Sequence, residues 1–283
     1  MELKQERNMN LSDHTKETGS KLFVSDLDGT ILTTDKKVSP KTKEALKKFV
    51  EAGNHFAICT GRDITSGRAV YESLGLDLPG SYVIAYNGGQ IYDVDADKTI
   101  YRIGIEQELV RDIFRLAEEY DSYVHTYNDE YILSPMAGEC LDYYRIVIKT
   151  PVKDGKDALD YMDVPPCKVI SIELHDHEKQ ERFRMAAEEA FGDRLKLMYS
   201  NPLYLELIPK ESGKGEAMTW LCKHLSIPVE NAIAAGDGDN DISMIKAAGL
   251  GIAMINAPDT VKAAADVITT FDNDHDGLAE YIK

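Results

Sequence analysis

Cysteine is scarce in this chain, and the cysteines that it has are widely separated. The four positions are Cys59, Cys140, Cys167 and Cys222. None of the spacings between them matches the CxxC pattern of a zinc site or a redox pair. We interpret them as reduced core residues, and this usage predicts a cytoplasmic protein rather than a secreted domain held together by disulfides.

Basic residues are also few, because 32 of them stand against 49 acidic residues and the formal net charge is −17. Proteins that bind nucleic acid normally present a basic face, so no nucleic-acid partner is expected. No apolar run approaches the ~20 residues of a membrane span, and the N-terminus lacks the apolar segment of a signal peptide. We therefore expect no membrane partner. A small phosphorylated substrate is compatible with the acidity, because a metal and a few lysines can set the local charge.

The remaining composition is that of an ordinary globular protein, with 43% hydrophobic and 29% charged residues. A length of 283 residues suits one large domain or, as we favour here, two. Residues 1–20 are polar and without periodicity, which predicts a disordered tail. Whether translation begins at Met1 or at Met9 stays open.

Strands and helices alternate in two separate parts of the chain. Apolar strands begin at Leu22, His55 and Ser81, and a helix follows each of the first two. The alternation resumes at the helix that begins at Lys214. This rhythm predicts an α/β fold with a doubly wound parallel sheet, and we assign residues 21–88 and 209–283 to that core.

Residues 89–208 follow a different pattern and are predicted to form an inserted α+β domain. Strands of alternating polarity, such as Tyr123 to Tyr127, are mixed there with helices near residues 106–120, 138–148 and 177–191. Most of the tyrosines lie in this insert. They either line a pocket or, the interpretation that we prefer, fill half-buried faces of a sheet.

The first strand ends in two carboxylates, Asp26 and Asp28, which are followed by Gly29 and Thr30. Ligands of open α/β sheets bind beyond the carboxyl ends of the strands, where these side chains are expected to converge. Two acids at such a place suit a divalent metal together with an acid–base step. The alternative is a plain turn, since Asp, Gly and Thr are common turn residues.

Three further polar clusters follow at strand ends or helix starts. They are Thr60-Gly61-Arg62, Lys214, and Gly236-Asp237-Gly238-Asp239-Asn240-Asp241. Together the clusters offer carboxylates for a hard cation, groups that bind anionic oxygens, and a fixed positive charge, as phosphoryl transfer requires. The alternative for Asp237 and Asp241 is a turn and a helix N-cap.

The motifs Asp-x-Asp-Gly-Thr, Thr-Gly-Arg, Lys-Gly-Glu-Ala and Gly-Asp-x-x-Asn-Asp, in this order, resemble the haloacid dehalogenase (HAD) superfamily. The insert resembles that of the subclass IIB, Cof-type sugar-phosphatase group, and the resemblance covers about residues 20–283. It implies an HAD core with an inserted cap that sets substrate choice. It also implies a Mg²⁺-dependent phosphatase of small phosphorylated metabolites, acting through an aspartyl-phosphate intermediate.

The resemblance also implies roles for individual residues. Asp26 is the nucleophile, Asp28 the general acid and base, and Lys214 the cation that orients Asp26. The residues implied to hold Mg²⁺ are Asp26, Asp28 through its backbone carbonyl, Asp237 and, in support, Asp241. Those implied to bind phosphate or leaving group are Leu27, Thr60, Gly61, Arg62, Asn87, Lys214 and Asn240.

Two other functions stay open at this point. A phosphomutase would use the same four clusters and pass the phosphoryl group to a sugar hydroxyl instead of water. A catalytically silent regulatory or binding protein is possible on any fold, although the retention of every chemical side chain argues against it. The substrate and the choice between monomer and homodimer are not determined by the sequence.

Overall fold

The computed structural model describes residues 19–148 and 150–283. Most of the predicted disordered tail, residues 1–18, lies outside the described residues, as do both possible start positions. Within the described ranges, none of the helices combines the length and apolar character that crossing a membrane requires.

Eight α-helices and fourteen strands make up the described part of the chain. The helices are α1 (Pro40–Glu51), α2 (Ile64–Ser73), α3 (Gln107–Glu119), α4 (Glu139–Val147), α5 (His177–Phe191), α6 (Lys214–His224), α7 (Ile242–Ala247) and α8 (Asp259–Lys262). The strands are β1 (Leu22–Ser25), β2 (His55–Cys59), β3 (Ser81–Ala85), β4 (Gln90–Asp93), β5 (Lys98–Arg102), β6 (Tyr123–Tyr127), β7 (Ile132–Ser134), β8 (Val152–Asp154), β9 (Val169–Ile172), β10 (Leu195–Asn201), β11 (Tyr204–Pro209), β12 (Ala232–Gly236), β13 (Leu250–Ala253) and β14 (Val267–Ile268).

Local sequence explains where the first two helices begin. The Ser39 side chain accepts a hydrogen bond from the backbone N–H of Thr42, and Pro40 occupies the first helical position of α1. Asp63 caps α2 in the same way by accepting from the N–H of Ser66. The helices predicted to follow the first two strands are thereby confirmed.

The larger sheet has the strand order β14-β13-β12-β1-β2-β3-β4-β5. Its neighbours from β14 to β3 all run parallel, as predicted for a doubly wound sheet. From β1 the chain proceeds to β2 and β3 in one direction, and later from β12 to β13 and β14 in the other. The order therefore reverses between β1 and β12, and such a switch point opens a crevice for a ligand.

Strands β4 and β5 correct the predicted start of the insert at residue 89. They extend the larger sheet by antiparallel pairing, with Ala85 opposite Gln90 and Ile91 opposite Tyr101. Residues 90–102 therefore belong to the sheet of the core. Periodicity shows which faces of a strand are buried but not which neighbour it pairs with, so the sequence pattern placed this hairpin with the wrong sheet.

The second sheet has six strands in the order β10-β11-β9-β6-β7-β8, and its pairs are antiparallel except β7 with β8. One face packs on α3 and α5 through buried residues such as Val169, Leu207 and Phe183. The other face turns towards the core, and Tyr127 lies edge-on to Tyr86 there. We call α3 to β11 the cap and the remaining described elements the core.

Candidate active site

Asp26 and Asp237 meet at the switch point because β1 and β12 are paired neighbours. The N–H of Asp26 donates to the carbonyl of Ala235 at 2.9 Å, which continues the ladder one residue past the end of β1. Gly29 then reverses the chain with a φ of +80°, and a Cβ at this position would overlap the Asp237 carboxylate. Glycine is thus required here both by the turn and by the close approach of Asp237.

Lys214 is the central cation of the site. It opens α6 and is 1% exposed, and its Nζ lies 2.6 Å from an oxygen of Asp26 and 2.6 Å from an oxygen of Asp241. Burial lowers the pKa of the Lys214 ammonium, but the Asp26 and Asp241 carboxylates outweigh burial and raise it. Lys214 therefore remains charged and holds two carboxylates from different strand ends in fixed positions.

Asp26, Asp237 and Asp241 form a carboxylate cluster, with one oxygen of each lying within 4.8 Å of the others. Burial raises the pKa of Asp26 to about 7, and although Lys214 opposes this rise, the Asp241 and Asp237 charges add to it. Burial likewise raises the pKa of Asp237. The cluster thus carries negative charge that one lysine does not balance, and its hard oxygens suit Mg²⁺.

Hydrogen bonds from neighbouring groups hold the other two carboxylates of the cluster, those of Asp237 and Asp241, in place. Thr30 donates its hydroxyl to Asp237 at 2.8 Å. The second Asp241 oxygen accepts from the backbone N–H groups of Asp237 and Gly238 at 3.0 and 2.9 Å. Both Asp241 oxygens are therefore occupied by protein donors, which fits the supporting part implied for Asp241 rather than a leading one.

Asp28 stands apart from this cluster and faces two cations. Arg62 contacts it through Nη2 at 2.8 Å and Nε at 3.2 Å, and Lys36, which the sequence analysis missed, lies at 2.6 Å. Burial raises the pKa of the Asp28 carboxyl, but the hydrogen bonds from Lys36 and Arg62 outweigh burial and lower it. The structure therefore places the Asp28 carboxylate outside the carboxylate cluster, where the Arg62 guanidinium and the Lys36 ammonium hold it.

The other predicted phosphate-binding residues fall into two groups. Thr60, Gly61, Arg62, Asn87 and Asn240 all line one cavity at the switch point, together with Asp26 and Asp237. Asn240 donates to the side chain of Asn87 at 2.9 Å, and Asn87 has the left-handed φ of +54° that asparagine tolerates. Leu27 differs, because its side chain is completely buried in the core and leaves only its backbone for that role.

The cavity has a volume of about 560 Å³, and the cap forms part of its wall. The cap supplies Tyr144, Lys168, Ile170, Tyr204 and Glu206 to its wall. Both expectations for the tyrosines are met, since Tyr144 and Tyr204 line the cavity, whereas Tyr127 is buried in the sheet face.

Lys168 and Glu206 were missed by the sequence analysis. Glu206 lies on β11 and Lys168 directly precedes β9, and because these segments are otherwise largely apolar, two isolated charges carried little weight. A signal was present nonetheless, because side chains alternate between the two faces of a strand. Lys168 is on the same face as Ile170, Glu206 is on the same face as Tyr204, and this face turns inward.

Comparisons with known proteins show the family of the chain. A family model described as haloacid dehalogenase-like hydrolase matches residues 23–282. The 5-amino-6-(5-phospho-D-ribitylamino)uracil phosphatase YwtE of Bacillus subtilis is 30% identical, over 93% of this chain and 96% of that protein. The putative phosphatase YxeH of the same organism is 28% identical, over 93% of this chain and 97% of that protein.

Solved structures show the same fold. A haloacid dehalogenase-like hydrolase from Bacteroides thetaiotaomicron is 29% identical, covers 93% of this chain and 98% of its own, and has a TM-score of 0.83. The family model spans both the parallel core and the cap, and it includes all four motifs. The chain therefore belongs to the haloacid dehalogenase-like hydrolases, and it is a phosphatase.

Proposed function

We propose that this chain is a Mg²⁺-dependent phosphatase that hydrolyses small phosphorylated metabolites, sugar phosphates or similar, through an aspartyl-phosphate on Asp26. The observation that carries the proposal is the buried Lys214, which lies 2.6 Å from each of Asp26 and Asp241, two residues that line the cavity at the switch point. The name of the Bacillus relative, the phosphatase of a phosphoribitylamino compound, supports a small phosphorylated substrate.

In the first step an Asp26 oxygen forms a bond to phosphorus while the bond from phosphorus to the leaving oxygen breaks. Asp28 gives its proton to that leaving oxygen. In the second step Asp28 takes a proton from water, the water oxygen attacks phosphorus, and Asp26 leaves as a free carboxylate beside inorganic phosphate. The contacts of Asp28 with Arg62 and Lys36 favour the ionised form that this second step needs.

Several groups of this chain prepare the site for the phosphoryl group. Lys214 orients the Asp26 oxygen and offsets its charge, while the Thr60 hydroxyl and the N–H of Gly61 bind phosphate oxygens. Asp26, Asp237 and the backbone carbonyl of Asp28 would hold Mg²⁺, with Asp241 in support. When bound, that ion supplies positive charge against the phosphoryl oxygens.

Metal removal is the first test of the proposed function. Exhaustive chelation is expected to abolish release of inorganic phosphate from sugar phosphates, and added Mg²⁺ is expected to restore it. Ca²⁺ should restore it poorly, because it accepts more oxygen ligands and can draw Asp26 into bidentate contact. Unchanged phosphate release after chelation would contradict the proposal, and transfer to a second sugar without release would indicate a phosphomutase.

Replacing Asp28 by Asn should separate its two proposed parts. A sugar alkoxide needs a proton to leave, whereas a nitrophenolate hardly does, and losing a general acid or base costs about 10²–10⁴ in rate. Phosphorylation of Asp28→Asn should therefore slow much more with a sugar phosphate than with nitrophenyl phosphate. With the nitrophenyl ester, protein-bound phosphate should accumulate in rapid-quench experiments.

The matched control for this experiment is Asp35→Asn, since Asp35 is an exposed carboxylate in the loop that follows. This control should behave as wild type on both esters. Equal losses on both esters in Asp28→Asn, without accumulated phospho-enzyme, would show that Asp28 is not the general acid and base.

The cytoplasmic location stays a prediction, and the protein is predicted to be either a monomer or a homodimer.

A further inference from the structure

The cap carries a buried ion pair over the site that the proposed chemistry does not use. The Lys168 ammonium lies 3.2 Å from an oxygen of Glu206, and the two residues are 3% and 4% exposed. Both line the cavity that also contains Asp26 and Asp237. Burying two charges is costly, so an ion pair at this place calls for a reason beyond packing.

Strand alternation explains why these charges face the site. Glu206 on β11 lies opposite Ile170 on β9, and Lys168, two residues before Ile170, shares its face. The neighbouring residues Val169 and Leu207 point the other way, into the apolar contact with α3 and α5. The pair is therefore part of the cavity wall rather than of the cap core.

Lys168 is fully engaged by the protein. Besides Glu206, its ammonium donates to the backbone carbonyl of Gly61 at 3.1 Å. This contact links the cap to the segment Thr60-Gly61-Arg62, which is proposed to bind phosphate. It also lies 5.8 Å and 5.6 Å from the ring centroids of Tyr86 and Tyr127, within reach of a cation–π contact. These contacts hold Lys168 in place and orient Glu206.

Glu206 has one oxygen left over. Its Oε1 accepts from Lys168, whereas its Oε2 is buried and has no hydrogen-bond partner among the residues that the structure describes. A buried carboxylate oxygen without a donor costs free energy, and a donor on a bound molecule would remove that cost. The unpaired oxygen therefore points to a ligand group that donates an O–H or N–H.

We propose that Glu206, oriented by Lys168, selects the leaving group of the substrate. It accepts a hydrogen bond from a hydroxyl or amine of the non-phosphate part, and its charge disfavours leaving groups that carry a second anion. The preferred class is thus phosphate monoesters of neutral polyols and sugars or of amino sugars. This inference rests on the proposed function and narrows its substrate class to esters whose leaving group carries no second anion.

The remaining charges of the cavity are consistent with this selection. Among the described residues of its wall, the cations are Arg62 and Lys168, and each already pairs with a carboxylate, Asp28 and Glu206 respectively. A carboxylate or second phosphate on the leaving group would meet Glu206 while competing for cations that are already engaged. Like charges at such short range disfavour binding.

The test compares Glu206→Gln with wild type on four esters: sorbitol phosphate, glucosamine phosphate, phosphogluconate and nitrophenyl phosphate. Glutamine is nearly isosteric, but its NH₂ group offers a donor where the carboxylate offers an acceptor. We expect kcat/KM to fall about 10–100-fold for the sorbitol and glucosamine esters, the range for a hydrogen bond to a charged group. The nitrophenyl ester should change less than about threefold, and the relative rate on phosphogluconate should rise.

Glu173→Gln is the matched control, because Glu173 pairs with Lys179 at 3.1 Å in the same cap but is not part of the cavity wall. It should leave the ranking of the four esters unchanged. The double variant Lys168→Met/Glu206→Met replaces the pair by apolar side chains that can pack, so it guards against misfolding. It should lose the same discrimination while circular dichroism stays that of wild type.

The outcomes separate the two ideas. A wild type that hydrolyses none of the four esters with Mg²⁺ contradicts the proposed function. An active wild type whose four kcat/KM values fall equally in Glu206→Gln, or whose ranking shifts equally in Glu173→Gln, overturns the part assigned to Glu206 and leaves the phosphatase proposal intact.

Discussion

Replacing Asp26 by Asn is expected to lower kcat by about 10⁴-fold or more, because the amide is a poor nucleophile that cannot form the phosphorylated intermediate. The structure adds a reason to expect an intact fold. Asn is nearly isosteric, and Lys214 keeps its second carboxylate partner, Asp241, at 2.6 Å. Steady-state phosphate release measures the loss of turnover, and rapid-quench detection of protein-bound phosphate shows whether the phosphorylated intermediate is missing.

Stability provides the control for this variant. Burial raises the pKa of Asp26 to about 7, above the pKa of this carboxyl in the unfolded chain. In metal-free protein, ionisation of Asp26 therefore destabilises the folded state as the pH rises from the unfolded-chain pKa towards 7. With chelator present, Asp26→Asn should therefore melt at the same or a higher temperature than wild type above about pH 7, and this difference should shrink in acid. A variant that retains a tenth of wild-type kcat would show that Asp26 is not the nucleophile.

Replacing Lys214 by Met should impair both stability and turnover. Without the ammonium, the carboxylates of Asp26 and Asp241 face each other at a buried place with no protein cation between them. Breaking a buried pair from one side typically costs about 3–5 kcal/mol of unfolding free energy. Loss of a preorganised charge at the reacting group should lower kcat by about 10³-fold. Denaturant unfolding and phosphate release measure the two effects.

Two further variants make the Lys214 result specific. Lys223→Met changes an exposed lysine of the same helix and should alter neither quantity. Adding Asp241→Asn to Lys214→Met removes one of the opposed charges and should recover part of the unfolding free energy but none of the turnover. Full activity in Lys214→Met, or recovery of activity in the double variant, would contradict the part proposed for Lys214.

The motif residues were predictable because each belongs to a local pattern. Asp26 and Asp28 follow an apolar strand, Lys214 begins a helix, and Asp237 follows another strand. Parallel strands must end at one edge of a sheet, so the topology alone brings these side chains together. The structure confirms the parallel sheet and places Asp26, Asp237 and Asp241 within 4.8 Å of one another.

The partners of Asp28 were not predictable in the same way. Its contact with Arg62 and its contact with Lys36 depend on how two loops fold over the strand end. The hairpin of β4 and β5 shows the same limit, since its alternating pattern suits either sheet and only the pairing with β3 decides. A periodicity records burial of one face, whereas pairing and loop contacts depend on residues far away in sequence.

The sequence by itself determined the alternating core, the order of the four motifs and the presence of an inserted α+β segment, because these depend on local periodicity and spacing. Only the tertiary structure decided what faces the crevice from above. Lys168 and Glu206 pair although 38 residues separate them in the sequence, and Lys168 also contacts the carbonyl of Gly61, 107 residues away. Alternation can indicate which face such a charge is on, but a single sequence does not show which residue it pairs with, since these contacts arise only when the cap sheet packs over the core.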